Sequence, residues 1–176
     1  MNAGVISTRY ARAIYEYAAE KDHETALLEQ LQLLAQSFLK FPALRKVISD
    51  PTVTAEQKIQ VLTTACDARE NEILQQVIRL VVKNKRSGYI ENIIRMYDEV
   101  YRKAKGIVTV QLTTVEPADD KIKEELLPVI ARITEGTVDF QTQTDPGLIG
   151  GFILEIEDKR LDASVKEQLR MMSYEL

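Results

Sequence analysis

Apolar residues recur every three to four positions through the first hundred residues, whereas from Gly106 onward alternating stretches are interspersed with that spacing. A helix repeats its face every 3.6 residues and a strand every 2, so the two patterns demand different elements. The chain is therefore expected to fold as two unlike parts, a helical one over residues 1–105 and a mixed one over 106–176. Charge divides at the same place. Residues 1–105 carry 16 basic and 13 acidic side chains, for +3, whereas 106–176 carry 7 and 14, for −7. The 176-residue length suits one domain or two small ones.

The first part reads as six helices. Ile6, Tyr10, Ala13 and Tyr17, with Ile14 beside them, form one stripe on a helix of about four turns. Leu27, Leu31, Leu34, Phe38 and Phe41 repeat the spacing. Pro42 opens a short third helix through Val47 and Ile48, which Asp50-Pro51 stops. Thr54 and Gln57 have the spacing of a capping box for a fourth, with Ile59, Leu62 and Ala65 inward. A fifth, with its cap expected at Asp67, carries Ile73, Leu74, Val77, Ile78 and Val81 before Asn84 and Ser87-Gly88 break it. The sixth carries Ile90, Ile93, Ile94, Tyr97 and Tyr101. No single face is long enough to stand alone, so the expectation is one six-helix bundle.

The second part reads as a small α+β domain. Ile107 to Val110 and Thr113 are mostly β-branched and predict a strand. Asp119 or Asp120 starts a helix with Ile122, Leu126, Val129, Ile130 and Ile133. Pro128 inside it predicts a bend near Glu124–Leu127 or a restart, because proline lacks the N–H and clashes with the preceding turn. Gly136 is expected to end the helix. Val138, Phe140 and Thr142 alternate, Asp145-Pro146-Gly147 turns, and Phe152, Leu154 and Ile156 alternate again. After a short Asp158-Lys159 turn, Arg160-Leu161-Asp162 returns. Ser164 and Glu167 predict a second capping box and a last helix through Leu169 and Met172.

Composition discourages most catalytic chemistry. One His (His23) and one Cys (Cys66) cannot form a Cys/His zinc site and make a Ser/His/Asp or Cys/His nucleophile improbable. A lone cysteine forms no internal disulfide and reads as a small buried hydrophobe. Gly147-Leu148-Ile149-Gly150-Gly151 leads into a strand, whereas a phosphate loop opens a helix, so it reads as a turn and a close backbone approach. The pairs Asp119/Asp120 and Glu124/Glu125 read as solvated helix surface. Two basic clusters, Lys83/Lys85/Arg86 and Arg102/Lys103/Lys105, leave a nucleic-acid-binding helical protein as the competing reading, though aromatic platforms are not interleaved with them. No apolar run approaches the ~18 residues needed to span a bilayer, and the N-terminus has no basic and apolar signal-peptide regions.

Several motifs together carry a resemblance. Arg9-Tyr10-Ala11-Arg12-Ala13-Ile14-Tyr15-Glu16-Tyr17-Ala18 resembles the first helix of the delta subunit of F-type ATP synthase, whose mitochondrial counterpart is the oligomycin sensitivity conferral protein. Asn84-Lys85-Arg86, then Ile90, Ile94, Tyr97 and Gly106, resembles that family's junction. Asp145-Pro146-Gly147-Leu148-Ile149-Gly150-Gly151-Phe152, followed by Asp158-Lys159 and Asp162-Ala163-Ser164-Val165, is similar to its C-terminal signature. The match runs in order along essentially the whole chain. Pro128 and Glu157 depart from it, the latter where many members have glycine.

The resemblance implies a stator subunit without catalysis or cofactor. One copy per complex would hold the catalytic head still while the rotor turns. The helical domain would grip the N-terminal helix of an alpha subunit, and the C-terminal domain would bind the C-terminal helices of the b-subunit stalk. No nucleic acid, metal or direct membrane span is implied. The protein would be peripheral, at the cytoplasmic face of a bacterial inner membrane; the lack of a targeting segment favours a bacterial source. Carried onto this sequence, the groove would comprise Ile6, Tyr10, Ala13, Ile14 and Tyr17 opposite Val77, Leu80 and Val81. Ala13 would be small to admit a close helix. Asp145, Leu148, Ile149, Gly150, Gly151, Asp162 and Ser164 would serve the fold and not binding.

Overall fold

The computed structural model describes residues 3–66, 71–117, 120–134, 136–157 and 159–174. Backbone contacts divide the chain into two units that meet between Tyr101 and Arg102. That division falls inside the last turns of a helix, slightly before the expected boundary at Gly106.

Among the described residues the first unit holds α1 (Ala3–Ala19), α2 (Glu24–Lys40), α3 (Ala43–Ser49), α4 (Ala55–Ala65), α5 (Glu72–Lys83), a 3-10 turn (Ser87–Tyr89) and most of α6 (Ile90–Ala104). One apolar core joins them, including Ile14, Leu27, Leu34, Ile48, Leu62, Leu74, Val81, Ile94 and Tyr97. Tyr97 is fully buried, and its hydroxyl donates to the Glu24 carbonyl at 3.0 Å. Burial raises its pKa well above the usual phenol range. Cys66 is buried too, its thiol 3.0 Å from the Leu62 carbonyl, as a packed thiol should be.

The helix ends follow local chemistry. Thr54 and Gln57 form the reciprocal capping box: the Gln57 N–H donates to Thr54 Oγ1 and the Thr54 N–H to Gln57 Oε1. The cap expected at Asp67 lies outside the described residues, and α5 is instead capped by Asn71, whose side chain accepts from the Leu74 N–H at 3.1 Å. Phe41 falls off the end of α2 and is 63% exposed. The following Pro42 excludes it from helical backbone, which moves its side chain off the α2 stripe.

In the second unit, β1 (Ile107–Thr114), α7 (Asp120–Ile133), β2 (Thr137–Thr144), β3 (Phe152–Ile156), β4 (Lys159–Asp162) and α8 (Val165–Tyr174) build a mixed sheet with two helices. The strand order is β2-β1-β3-β4. β1 and β2 are parallel with Val110 opposite Phe140. β3 runs antiparallel to β1 with Leu154 opposite Leu112, and β3–β4 is a hairpin. Val108, Val110 and Leu112 alternate into a small core with Leu154 and with Ile130 from α7.

Two expectations change here. Asp119 is outside the described residues, and α7 continues through Pro128 without the restart. Both Pro128 and Glu124, whose carbonyl loses its N–H partner, face solvent, so water can satisfy that carbonyl. Gly136 does more than end a helix. Its φ is +135°, and a Cβ there would stand 2.1 Å from the Gly106 carbonyl oxygen. That same oxygen accepts from the Thr137 N–H at 3.0 Å, starting the β1–β2 pair.

Candidate partner-binding groove

The first-helix stripe exceeds what the core covers. Ile6 and Ile14 are buried, Tyr10 and Tyr17 half-buried, and Ala13 exposed. On α5, Val77 is buried while Leu80 keeps 49% of its surface in water. Two hydrogen bonds brace these helices. Asn84 Nδ2 donates to the Tyr10 hydroxyl at 2.9 Å, and the Tyr17 hydroxyl donates to Gln76 Oε1 at 2.7 Å. Rising numbers on α1 meet falling numbers on α5, so the two run antiparallel.

Along these two helices lie two hollows of about 410 and 330 Å³. Both are lined by Tyr10, Ala13 and Leu80, so they adjoin along the α1–α5 seam. Ile6 joins the wall of the first, and Ile14, Tyr17 and Val77 the wall of the second. Ala13, with no side chain beyond Cβ, leaves the α1 backbone approachable. Val81 differs from its expected place: it is 2% exposed, sits in the bundle core and lines neither hollow. One residue beyond Leu80, it is turned about 100° around the helix and faces inward.

Five lining residues were not anticipated as groove residues: Val5, Arg9, Gln76, Asn84 and Arg86. Arg86, read in the sequence as part of a solvated basic cluster, lines the first hollow. The reason lies in the end of α5. Lys85 adopts φ +55°, its N–H bonds the Val82 carbonyl and the Arg86 N–H bonds the Val81 carbonyl, each at 2.9 Å. This Schellman arrangement folds the chain back over the helix end and returns Arg86 to the groove. A left-handed lysine carries no glycine signal in the sequence. Of the second basic cluster, Arg102 is engaged with Asp139 and Thr109, which removes it as a free phosphate ligand.

The C-terminal signature residues hold turns. Asp145 Oδ1 accepts from the Gly147 N–H at 2.8 Å, and Leu148 is buried. Gly151 has φ +80°, and a Cβ there would lie 2.3 Å from the Ala163 carbonyl oxygen. A Cβ on Gly150 would contact Val165 Cγ2 at 3.0 Å. The buried Ser164 accepts from the Glu167 N–H at 3.2 Å, which is half of the predicted capping box. The other half is replaced: the Ser164 N–H goes to Asp162 Oδ1 at 3.0 Å, and the Glu167 carboxylate pairs with Arg170. Hydrogen bonds from Ser164 hold the Asp162 carboxyl below its usual pKa.

Ile149 stands apart, 73% exposed. Val165, Leu169 and Met172 are exposed at i, i+4 and i+7 on α8, and Val165 donates its N–H to the Gly150 carbonyl at 3.0 Å. The second unit thus has an apolar helix face that its own core does not cover. Among the described residues no helix is long and apolar enough to cross a membrane.

The chain is similar to known proteins. The family model of the ATP synthase delta (OSCP) subunit matches residues 6–176. The ATP synthase subunit delta of Azobacteroides pseudotrichonymphae is 49% identical over the full length of both chains. That of Phocaeicola vulgatus is 38% identical, covering 97% of this chain and 92% of its own. A chain of the Toxoplasma gondii mitochondrial ATP synthase hexamer, solved by cryo-EM, superposes with a TM-score of 0.73 at 19% identity over 96% of each chain, a likeness of fold.

Proposed function

The chain belongs to the ATP synthase delta (OSCP) subunit family, and from that membership we propose that its two units grip two different partners within the complex. As a delta subunit it is a stator component of the ATP synthase, a membrane-associated assembly. Its relatives are the delta subunit of that complex, a non-catalytic part. In the proposed arrangement the six helices of the first unit act as one bundle that receives the N-terminal helix of an alpha subunit. The second unit binds the C-terminal helices of the b-subunit stalk. The protein then sits peripherally at the cytoplasmic face of a bacterial inner membrane, and rotary torque on the head passes through it to the stalk.

The observation that carries the first contact is the groove made by the two hollows that adjoin over Tyr10, Ala13 and Leu80. Its apolar floor suits the apolar stripe of an amphipathic helix, and its braced walls need little reorganisation on binding. For the stalk contact, the support is the exposed face of Val165, Leu169 and Met172 with Ile149. Burying such a face releases water in proportion to its apolar area.

Titration of the full chain with a synthetic peptide of the alpha subunit's N-terminal helix tests the groove. Micromolar or tighter binding is expected, with a negative heat-capacity change. Leu80→Asp and Tyr10→Asp are each expected to abolish it while helical circular dichroism persists. Absence of binding by a folded chain refutes the groove contact. Leu169→Asp is expected to weaken b-subunit binding and leave the alpha peptide unaffected; the reverse pattern refutes the division of labour.

A further inference from the structure

We propose that the groove selects and orients its helix by charge, the occupant presenting acidic side chains to Arg9 and Arg86. This rests on the reading that the groove receives the alpha subunit's N-terminal helix. Both arginines line the hollow at the end where α1 begins and α5 stops, and no acidic residue lines either hollow. Among the described residues neither guanidinium pairs with a carboxylate. Arg86 is half-buried, held by the backward fold at Lys85 and with its Cζ 5.7 Å from the Tyr89 ring centroid. A cation beside an apolar surface attracts an anion more strongly than one in open water.

The opposite end of the groove is built differently. No charged residue lines the second hollow, and Lys21, one turn beyond Tyr17, donates its ammonium to the Tyr17 hydroxyl at 2.9 Å. Tyr17 in turn is committed to Gln76. Among the residues that line the hollows, positive charge therefore lies at one end. A helix with an apolar stripe and acids near one end fits in one direction only, because reversal leaves both arginines opposite neutral or basic groups.

The test uses the full chain, the alpha-subunit peptide and a second peptide with its Asp and Glu replaced by Asn and Gln. At about 0.05 M salt, the Arg9→Gln/Arg86→Gln double variant should bind the native peptide about tenfold more weakly. The neutralised peptide should lose about as much against the unmodified protein, and the two changes together should lose no more than either alone. Wild-type affinity should also fall between about 0.05 and 0.5 M salt, and the double variant's should not. Equal binding by the double variant, with Leu80→Asp abolishing binding, overturns the charge selection and leaves the groove standing. Salt-independent wild-type binding also overturns it, whether or not the arginine variant folds. Unchanged binding by Leu80→Asp refutes the groove and this inference with it.

Discussion

The Tyr17 hydroxyl donates to Gln76 Oε1 at 2.7 Å in the wall of the second α1–α5 hollow, and Asn84 Nδ2 donates to the Tyr10 hydroxyl at 2.9 Å where the two hollows adjoin. The tyrosines are two helical turns apart, roughly 10 Å. Each bond is solvent-accessible, so Tyr17→Phe and Tyr10→Phe should each cost only about 0.5–1 kcal/mol. At that separation the losses should add. Urea unfolding followed by helical circular dichroism measures both singles and the double. Coupling well beyond about 0.5 kcal/mol would mean that the two braces act as one element.

Gly151 and Gly88 make opposite predictions for the same change. At Gly151 an alanine meets the Ala163 carbonyl at 2.3 Å and must hold φ near +80°. Both conditions fall on backbone where β3 begins against the start of α8, so Gly151→Ala should cost about 3 kcal/mol or more. The β-sheet amide signals in an NMR spectrum should be lost first. Gly88 has no atom within 4 Å of a new Cβ and needs no positive φ. Gly88→Ala should be neutral or stabilising by up to about 1 kcal/mol. A well-folded Gly151→Ala sheet would contradict the close approach.

Glu157 has φ +50° in the two-residue connection between Ile156 and Lys159. Such short hairpin connections favour left-handed residues, which glycine and asparagine adopt easily and glutamate does not. The sequence departs from the expected glycine here, and the backbone retains the conformation glycine would take. Glu157→Gly and Glu157→Asn should therefore each raise stability by up to about 1 kcal/mol, offset for glycine by its greater freedom when unfolded. Thermal unfolding decides it: a lowered midpoint for both variants would exclude strain at this residue.

The helices, the strands and the change of character near Gly106 were legible because burial imposes period 3.6 or 2 directly on residue choice. Most of the groove was legible for the same reason, since Ile6, Tyr10, Ile14 and Tyr17 share a face. Val81 was misplaced because a stripe read from spacing does not say where floor becomes core. Arg86 was missed because its position depends on Lys85 taking a left-handed turn, which sequence marks only when glycine is used. The Ser164 box was half right because Asp162, two residues earlier, competes for the same N–H. In each case the deciding partner was a geometric neighbour that sequence spacing does not single out.

Asp139 offers a test by pH. Its carboxyl is held below the usual pKa chiefly by the hydrogen bond from Arg102, against an opposing effect of partial burial, with a lesser contribution from Gln141. A carboxylate with a depressed folded pKa adds stability that is present above its unfolded value, about 3.9. That contribution is lost as pH falls from there through the folded value. Arg102→Met should raise the Asp139 pKa and make the second unit less stable near neutrality. The difference between the two proteins should shrink as pH falls from about 4 through the lowered wild-type value, below which both carboxyls are protonated. Carbon-detected NMR titration of the Asp139 carboxyl reads the first effect, and unfolding at several pH values the second. An Asp139 pKa that does not move on losing Arg102 would show that the ion pair is not what lowers it.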